Sequence, residues 1–351
     1  MMTGLREAVP LSPLTTLGVG GVAGFFISVN DEAGVFDAFA FAASRNLPVL
    51  ILGGGSNVVI SDDGFPGLVI HIAIKGIRIE SGGAATIVSV AAGEEWDNVV
   101  SKCVAANLAG FETLSGIPGY TGATPIQNVG AYGQEVSQTI ESVRVIDRQT
   151  MKSLTLSNAD CGFGYRSSMF NTTARDRYIV LEVVFRLRRD EKPTLTYRDL
   201  VSFFTETGKA ATLSNVRAAV LKIRASKGMV IDPRDPDSRS VGSFFKNPIV
   251  SNDVLEMIRK STMTEVVAFP EPDGRYKISA AWLIEQAGFH RGYPKGRAGI
   301  SGKHTLAIVN RGGATAQEIV ALAEELSSEV KERFGVLLDR EPVLVGMEFK
   351  R

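Results

Sequence analysis

The chain has 351 residues, 44% of them hydrophobic, and its 38 Lys and Arg residues balance its 38 Asp and Glu residues. This length predicts two or three domains with sizeable cores. A formal charge of zero argues against a nucleic-acid-binding protein, whose affinity rests on excess basic charge, but it is compatible with a small anionic ligand. We therefore expect no nucleic-acid partner.

The two cysteines, Cys103 and Cys161, predict neither a disulfide framework nor a cysteine metal site, and we expect no bound metal. Cys103 falls on an apolar helical stripe with Trp96, Val99 and Val100, which indicates a buried thiol. The first residues, MMTGLREAVPLSPL, lack the apolar core of a signal peptide, and no apolar run reaches the roughly 18 residues of a membrane span. These features predict a cytoplasmic protein with no membrane segment.

The first part of the chain predicts a small α/β unit. The segment GFFISV predicts a strand, and Asn30–Asn46 predicts a helix because Asn30 or Asp31 can cap it and apolar residues recur on one face. Val49–Leu52 then predicts a buried strand, and Leu68–Ile74 predicts another.

The middle part predicts an α+β domain with an unusually long glycine-rich loop. ATIVSVAAG predicts a strand and EEWDNVVSKCVAANL a helix, while IESVRVIDRQT and YIVLEVVFRLRRD predict two further strands. Between the helix and these strands lies GFETLSGIPGYTGATPIQNVGAYGQEVSQ. Loops of that length are usually functional or disordered, and the aromatic and apolar residues of this one argue against disorder.

The last part begins with a predicted helix, ATLSNVRAAVLKIRASKG, and a boundary segment, IDPRDPDSRSVGS, that leads into a further domain. That domain is predicted to contain a helix, ISAAWLIEQAGF, and a strand, HTLAIVN. Thr315 and Glu318 form a capping box that predicts the start of a terminal helix. The strands GVLL and VLVG, separated by a charged DRE, are predicted to end the chain.

Two glycine motifs resemble phosphate-binding signatures but lack their context. GVGGVA, at residues 18–23, fits the dinucleotide pattern G-x-G-x-x-A, but it precedes an apolar run and follows no strand, which argues against a Rossmann site. LGGGSN follows a strand, but it lacks the Lys and Ser/Thr of a P-loop and leads into a second strand. Its bare N–H groups could form an anion nest, or the segment could be a sharp turn with no ligand.

A second bare loop, SGIPGYTGATPIQNVGAYG, has so few side chains that its backbone can approach a ligand closely. Two such loops beside buried strands could clasp a pyrophosphate between two subdomains without a helix dipole. The alternative at this point is an Ω-like loop that serves only the fold.

Seven motifs together carry a resemblance to a known family. In chain order they are LGGGSNVVISD, SGIPGYTGATPIQNVGAYG, CGFGYRSSMF, GSFFKNP, AAWLIEQAGF, AIVNRGGATAQEI and EPVLVG. From Thr15 to Gly346 the sequence resembles the UDP-N-acetylenolpyruvoylglucosamine reductase family of flavoenzymes. The resemblance implies an α+β fold: a two-subdomain FAD-binding fold of the vanillyl-alcohol-oxidase type plus a C-terminal α+β substrate-binding domain. The implied parts are residues 1–75 completed by 336–351, residues 76–228, and residues 229–335.

The resemblance implies FAD held noncovalently, because none of His71, His290 and His304 lies in either glycine loop. Both loops would hold the FAD pyrophosphate through backbone N–H groups. The implied cofactor-binding residues are Leu52, Gly53, Gly54, Gly55, Ser56, Asn57, Ser115, Gly116, Ile117, Pro118, Gly122, Ala123, Gln127, Asn128, Gly130, Tyr132 and Ile179.

The family reaction uses NADPH and FAD to reduce the enolpyruvyl ether of UDP-N-acetylglucosamine to UDP-N-acetylmuramate, a peptidoglycan precursor. Hydride passes from flavin N5 to the vinyl carbon, and the adjacent carbon develops an enolate-like charge that must be stabilised and protonated. The resemblance assigns charge stabilisation to Arg166 in GYRSSMF, proton donation to Ser243 in GSFFKNP, and intermediate stabilisation to Glu341 in DREPVLVG. Without these motifs, the three would be a surface ion pair, a loop hydroxyl or helix cap, and a turn carboxylate. Asp339 is the alternative to Glu341.

The resemblance also implies substrate contacts. Tyr197 would close over the substrate diphosphate and Lys227 would face phosphate, although Tyr197 alone would read as an ordinary strand aromatic. Asn247 and Gln286 would hydrogen-bond the nucleotide sugar, and Arg224 completes the substrate-binding set. We expect a monomer whose partners are NADPH and UDP-N-acetylglucosamine enolpyruvate.

Two other functions compete with this one. An oxidase of the same flavin fold would act on a sugar alcohol or lactone, but it would often carry a covalent flavin anchor and would have no use for the three catalytic residues. A nucleotide-sugar-binding or flavin-sensing protein would keep the fold and lose turnover. Reduction of the enol ether, and its loss on Ser243→Ala, separates these alternatives.

Overall fold

The computed structural model describes residues 3–82, 85–189, 192–193 and 195–350. The chain divides into two compact units. Unit 1 contains the residues up to Val9 together with Ala23–Gly55 and Pro66–Val230. Unit 2 contains Pro10–Val22, Ser56–Phe65 and the chain from Ile231 onward.

Strands and helices are numbered separately along the chain. The strands are β1 (Arg6–Pro10), β2 (Val22–Val29), β3 (Val49–Leu52), β4 (Val58–Ile60), β5 (Phe65–Ile72), β6 (Ile77–Gly82), β7 (Ala85–Ala91), β8 (Leu108–Ala109), β9 (Gly130–Ala131), β10 (Gln134–Glu135), β11 (Ile140–Asp147), β12 (Lys152–Ser157), β13 (Tyr178–Arg189), β14 (Ser240–Ser243), β15 (Ile249–Val250), β16 (Ala268–Pro270), β17 (Tyr276–Ile278), β18 (Pro294–Lys295), β19 (Ala298–Ile300), β20 (Ala307–Asn310) and β21 (Val343–Val345). The α-helices are α1 (Glu32–Ser44), α2 (Trp96–Ala105), α3 (Arg198–Thr207), α4 (Leu213–Ser226), α5 (Asn252–Ser261), α6 (Ala280–Gln286) and α7 (Ala316–Phe334).

Unit 1 contains a four-stranded sheet in the order β1-β2-β5-β3 and a larger sheet in the order β12-β11-β13-β7-β6, with β8 paired to β13. The predicted strand Val49–Leu52 is confirmed and runs parallel to β5, with Leu52 opposite His71. The helix predicted over residues 30–46 is α1, and its cap is Asp31, whose Oδ1 accepts from Gly34 N at 2.7 Å.

Helix α2 packs one face into the core of unit 1 because its apolar residues recur at helical spacing. Trp96, Val99, Val100 and Cys103 are all buried on that face. The prediction of a buried thiol at Cys103 is therefore confirmed. Helices α3 and α4 pack on each other through a smaller apolar cluster of Leu200, Phe204, Val216, Ala219 and Val220.

Unit 2 contains an antiparallel sheet in the order β14-β20-β19-β18, a three-stranded sheet β15-β17-β16, and the parallel pair β21-β4. Helix α7 supplies much of its core. The capping box predicted at its start is confirmed: Thr315 Oγ1 accepts from Glu318 N, and Glu318 Oε2 accepts from Thr315 N. Gly335, in the left-handed region at φ 69°, ends the helix.

Two polar side chains from other segments hold the start and the surroundings of α7. Asp62 accepts from the first two amides of the helix, Ala316 N at 2.8 Å and Gln317 N at 3.1 Å. Asn310, which is buried, donates from Nδ2 to Leu17 O at 3.0 Å and accepts at Oδ1 from two amides of the loop that follows it. These contacts fix the N-terminal segment of unit 2 to its C-terminal helix.

The predicted strand GVLL, at residues 335–338, is wrong. After the turn at Gly335 the segment has no regular structure, although Val336 and Leu338 are buried in the core of unit 2. Burial alone produced the apolar pattern, and no strand among the described residues pairs with this segment. In the described part of the chain, no helix has the length and apolar character required to cross a membrane.

Candidate functional site

The first glycine loop, Gly53–Gly55, follows β3 directly and contacts the second glycine loop within unit 1. A Cβ on Gly54 would stand 2.9 Å from Gly119 Cα and 3.1 Å from the Tyr120 ring. A Cβ on Gly53 would stand 3.9 Å from Tyr120 Cβ. The absence of a side chain at Gly54 therefore lets the two loops approach each other closely, which accounts for at least one of the three glycines.

The first glycine loop also presents backbone donors. Within residues 3–82, 85–189 and 195–350, the amides of Gly53, Gly54 and Gly55 donate to no protein acceptor. Gly53 and Gly54 are half-buried and Gly55 is buried. Buried amides without an acceptor are costly, and phosphate oxygens are suitable acceptors for them. The loop residues present thus fit a pyrophosphate group.

The second glycine loop, Ser115–Tyr132, is anchored at its start by an ion pair. Gly116 lies in the left-handed region at φ 72°, and its N–H donates to Asp97 Oδ1 at 2.5 Å. Arg217 on α4 binds the two carboxylate oxygens of Asp97 at 2.6 and 2.7 Å. Burial opposes ionisation of Asp97, but the bonds from Arg217 and Gly116 outweigh it and lower the pKa of the carboxyl.

The second glycine loop ends in a tight hairpin whose turn is Tyr132–Gly133. Both residues have positive φ, 50° and 89°, as a type I′ turn requires. The Tyr132 ring meets the Tyr197 ring edge-to-face, with centroids 5.2 Å apart. Tyr197 is exposed and occupies the N-cap position of α3 without a side-chain capping bond, so the alternative of an ordinary strand aromatic is wrong.

Two of the predicted substrate-binding cations lie beside Tyr132. Lys227 Nζ is 5.9 Å from the centre of its ring and 2.8 Å from Asp199 Oδ2. Burial opposes the charged form of Lys227, but Asp199 and the tyrosines raise the pKa of the amine above its ordinary value. Burial raises the pKa of Tyr132 as well, so its phenol stays protonated at neutral pH.

Arg224 is the second of these cations. Its Nη2 donates to Met229 O at 2.8 Å, whereas its Nε is buried and has no hydrogen-bond acceptor in the described residues. That Nε is 3.5 Å from the point where a Cβ on Gly116 would stand. A buried donor without an acceptor, next to a glycine loop, is suited to an anionic group.

Arg166 occupies a tight turn that lies against the second glycine loop. Gly164 and Ser167 exchange both backbone hydrogen bonds, and Arg166 between them has φ 50°. Its Nη2 donates to Gly130 O at 2.7 Å. The guanidinium therefore sits at the hairpin that carries Tyr132.

The remaining predicted cofactor residues of unit 1 differ in accessibility. The side chains of Ser115, Asn128 and Ile179 are buried, and Ile179 lies on β13 opposite Ile146 in the core. Ser115 Oγ donates to Glu112 O. The others, Ile117, Pro118, Gly122, Ala123 and Gln127, are half-buried or exposed along the second glycine loop.

Unit 2 brings the segments of Ser243 and Glu341 side by side. Ser243 ends β14, and the residues that follow it pair with the residues around Glu341: Glu341 N donates to Phe244 O at 2.8 Å, and Lys246 N to Asp339 O at 2.8 Å. Ser243 and Glu341 are half-buried, whereas Asp339 is exposed.

Asn57, from the end of the first glycine motif, also fixes the Glu341 segment within unit 2. Its Nδ2 donates to the backbone carbonyl of Glu341 at 3.3 Å, and its own backbone carbonyl accepts from Val343 N at 3.0 Å. The chain passes from unit 1 to unit 2 at Gly55–Ser56, so the LGGGSN motif contributes residues to both.

The two predicted sugar contacts make protein hydrogen bonds in unit 2. Asn247 Oδ1 accepts from Ala280 N at 3.0 Å, and Gln286 Oε1 accepts from Thr264 Oγ1 at 3.0 Å. The carboxamide oxygens are thus engaged in the fold.

Sequence analysis did not identify the acidic residues that organise the site. Asp97 anchors Gly116, and Asp199 holds Lys227. Asp97 lies in the first turn of α2, where acidic residues are common for electrostatic reasons alone. Only its pairing with an arginine 120 positions away reveals its role.

Comparison with known proteins decides the family. The chain matches an FAD binding domain model over residues 23–151 and the model of the UDP-N-acetylenolpyruvoylglucosamine reductase C-terminal domain over residues 233–345. It is 48% identical over 356 residues to the UDP-N-acetylenolpyruvoylglucosamine reductase of Thermobifida fusca, and 99% of each chain is covered. This chain belongs to the UDP-N-acetylenolpyruvoylglucosamine reductase family.

A second relative and a solved structure support the same family assignment. The chain is 47% identical to the UDP-N-acetylenolpyruvoylglucosamine reductase of Streptomyces coelicolor, covering 96% of this chain and 89% of that one. The crystal structure of the Thermus caldophilus UDP-N-acetylenolpyruvylglucosamine reductase superposes with a TM-score of 0.67 at 26% identity, covering 97% of this chain and 99% of that one.

Membership of the reductase family confirms three of the predictions. The chain is an FAD-dependent oxidoreductase, its cofactor is FAD, and its mixed α+β fold combines an FAD-binding part with the C-terminal domain of the family. Among the described residues, no group of three or more His, Cys, Asp or Glu side chains could hold a metal ion.

Proposed function

We propose that this reductase uses NADPH to reduce the enolpyruvyl ether of UDP-N-acetylglucosamine to UDP-N-acetylmuramate. The observation that carries the proposal is the meeting of the two glycine loops, where Gly54 lies against Gly119 and the amides of the first loop have no acceptor among the described residues. Bound FAD supplies hydride transfer at this site. The residues of the chain then have to bind the substrate, stabilise charge and deliver a proton.

The two glycine loops hold the FAD pyrophosphate in this proposal. Backbone amides of Gly53–Gly55 donate to phosphate oxygens, and the second glycine loop closes the cradle from the other side. The other predicted cofactor residues retain the same assignment as proposals, except that the side-chain donors of Asn128 are used within the protein.

Arg166 stabilises negative charge on the substrate. A guanidinium binds a carboxylate through two parallel hydrogen bonds, and it also stabilises the charge that grows next to that carboxylate during reduction. The bond from Arg166 Nη2 to Gly130 O supports this role, because it holds the guanidinium against the proposed cofactor loop.

Ser243 donates the proton to the reduced substrate, and Glu341 stabilises the intermediate. The adjacent backbone pairing of their segments supports joint action, since it keeps the two side chains at neighbouring positions. The half-buried position of Glu341 favours it over the exposed Asp339. A hydroxyl is a weak acid. Ser243 therefore donates its proton only because the substrate carbanion is a strong base and nearby positive charge stabilises the serine alkoxide that is left.

Lys227, Arg224 and Tyr197 bind the substrate diphosphate in this proposal. Their gathering around the Tyr132 ring supports it, because two cations and two aromatic rings form a surface suited to a nucleoside diphosphate. Asn247 and Gln286 are proposed to bind the nucleotide sugar through their amide nitrogens. The three-part division of the chain, the monomeric state and the cytoplasmic location stay predictions.

The visible spectrum during an anaerobic titration tests the proposal. The purified protein should be yellow, should bleach with NADPH, and should regain its colour when UDP-N-acetylglucosamine enolpyruvate is added. Recovery only on admission of air would support the oxidase or the sensor alternative instead. Protein that cannot be reconstituted with FAD would contradict the proposed role of the glycine loops.

Ser243→Ala tests the proton donor, and Ser240→Ala on the same strand is its matched control. We expect Ser243→Ala to bind FAD and bleach with NADPH but to lose enol ether reduction. Ser240→Ala should retain both half-reactions. An unchanged complete cycle in Ser243→Ala would show that another group donates the proton.

A further inference from the structure

The side chain of Asn128 uses all its donors inside the protein. Its Nδ2 donates to Glu135 Oε2 at 2.8 Å and to Gly164 O at 3.0 Å, and its Oδ1 accepts from Ser137 N at 3.1 Å. The residue is 1% exposed. A carboxamide has two N–H donors, so neither is available to a cofactor or a substrate.

The bond to Gly164 O connects the second glycine loop to the Arg166 turn. Gly164 is the first residue of that turn and exchanges backbone hydrogen bonds with Ser167 at its other end. Arg166 returns to the same loop through its bond to Gly130 O. The Arg166 turn, residues 164–167, is thus hydrogen-bonded to the second glycine loop at two points. Asn128 binds the backbone of Gly164, and the Arg166 guanidinium binds the carbonyl of Gly130.

The backbone of Asn128 explains why this position suits asparagine. Its φ is 48°, a left-handed conformation that Asn, Asp and Gly adopt more readily than other residues. Gly has no side chain, and an ionised Asp can accept hydrogen bonds but cannot donate them. Asn combines the required backbone with two donors for Glu135 and Gly164.

We propose that Asn128 is a positioning residue that holds the Arg166 turn in its catalytic geometry. The proposal rests on the proposed function, in which Arg166 stabilises charge on the substrate. Loss of the bond to Gly164 O removes one contact between the base of the turn and the loop, while the bond from Ser168 Oγ to Ile126 O remains. A displacement of about 1 Å at a catalytic group can cost up to about a hundredfold in rate. The expected defect is therefore in enol ether reduction and not in the reaction with NADPH.

Asn128→Asp is the variant that tests the proposal, and Asn158→Asp is its matched control. Asn158 also donates from Nδ2 to two protein acceptors, Ser137 O and Ile140 O, both at 2.8 Å, and neither acceptor lies in the Arg166 turn. Both substitutions remove the same two donors and add the same charge. Asn128 is 1% exposed and Asn158 is half-buried, so the added charge costs more stability in Asn128→Asp, and thermal unfolding of both FAD-loaded variants measures that difference separately from the rates.

Stopped-flow absorbance of the FAD-loaded variants separates the half-reactions. We expect Asn128→Asp to retain bleaching by NADPH and to slow recovery with UDP-N-acetylglucosamine enolpyruvate by about tenfold to a hundredfold. Asn158→Asp should keep both rates. Equal recovery rates in the two variants would overturn the proposal.

A double variant keeps the test decisive if Asn128→Asp folds poorly or loses FAD. In Asn128→Asp/Glu135→Gln the new glutamine amide can donate to the new carboxylate, which restores the link within the loop but not the bond to Gly164 O. Recovered FAD binding with slow enol ether reduction supports the proposal, whereas recovered reduction overturns it. Arg166→Ala tests the underlying function separately: if it reduces the enol ether at the normal rate, Arg166 has no catalytic role, whatever Asn128 does.

Discussion

Replacing Gly54 by Ala places a methyl group against the backbone of the second glycine loop. The new Cβ would stand 2.9 Å from Gly119 Cα, 3.2 Å from Gly119 C and 3.1 Å from Tyr120 Cδ1. Carbon atoms make favourable contact at about 3.5–4.0 Å, so the two loops must separate by several tenths of an ångström. Strain of this kind costs about 1–3 kcal/mol.

Gly53→Ala is the matched control for this substitution. Neither glycine has a positive φ, and a Cβ on Gly53 would make only ordinary contacts of 3.9 and 4.0 Å with Tyr120. The two variants therefore differ in the protein contact and not in backbone preference. If both glycines cradle a pyrophosphate, Gly53→Ala should weaken FAD binding while leaving the FAD-free protein as stable as the wild type.

Thermal unfolding of the FAD-free protein and flavin fluorescence titration together measure the two effects. We expect Gly54→Ala to lower the free energy of unfolding by about 1–3 kcal/mol. If FAD binding requires the two loops to approach as they do in the wild type, the same free energy would weaken FAD binding by about 5-fold to 150-fold. If the FAD-free forms of the two variants were equally stable, the reasoning from loop contact would be refuted. If Gly53→Ala bound FAD as tightly as the wild type, the proposal that the pyrophosphate lies close to the backbone of Gly53 would be refuted.

Asp62→Ala should destabilise the protein by about 1–2 kcal/mol in urea unfolding, because it removes the acceptors of the first two amides of α7. Asp63→Ala, at the adjacent exposed position, should have almost no effect, and equal losses would contradict the capping role. Cys103 and Cys161 should react with a disulfide reagent at pH 8 only after unfolding, since both are buried and burial raises the pKa of each thiol to about 12. Rapid labelling of the native protein would contradict this. The pKa of Asp97 lies below its unfolded value of 3.8, so its stabilising contribution is present above that pH and is lost as the pH falls through the lower, folded value. Asp97→Asn should therefore flatten the acid limb of a melting-temperature profile, and an unchanged limb would contradict the stated cause.

Local signals in the sequence were sufficient for many of the elements. Val49–Leu52 is bounded by a proline and three glycines, and α7 begins with a capping box, so each element carries its own limits. Helix α3 was not predicted because it has few apolar residues at helical spacing. Its buried residues, Leu200 and Phe204, pack against α4, and that contact is not visible in the sequence. The strand GVLL was wrong because an apolar run shows burial without showing what pairs with it.

The candidate site was predictable by motif and not by contact. Arg166, Ser243 and Glu341 could be named because each sits in a recognisable string of residues. The residues that position them could not be predicted. The hydrogen bond from Asn128 to Gly164 and the ion pair of Asp97 with Arg217 depend on the arrangement of strands and helices in space. Nothing in the residues adjacent to Asn128 distinguishes a side chain that faces a ligand from one whose donors are already occupied.

The parallel pair of β4 and β21 has a consequence for synthesis of the chain. β4 leaves the ribosome well before its partner β21 is made. Until then β4 lacks the strand with which it pairs, and unpaired strands are prone to association with other chains. Unit 2 cannot be completed before β21 has been made, and a fragment that starts at Ile231 would lack Pro10–Val22 and Ser56–Phe65. Expression of the C-terminal part alone should therefore require these two N-terminal pieces to be supplied separately.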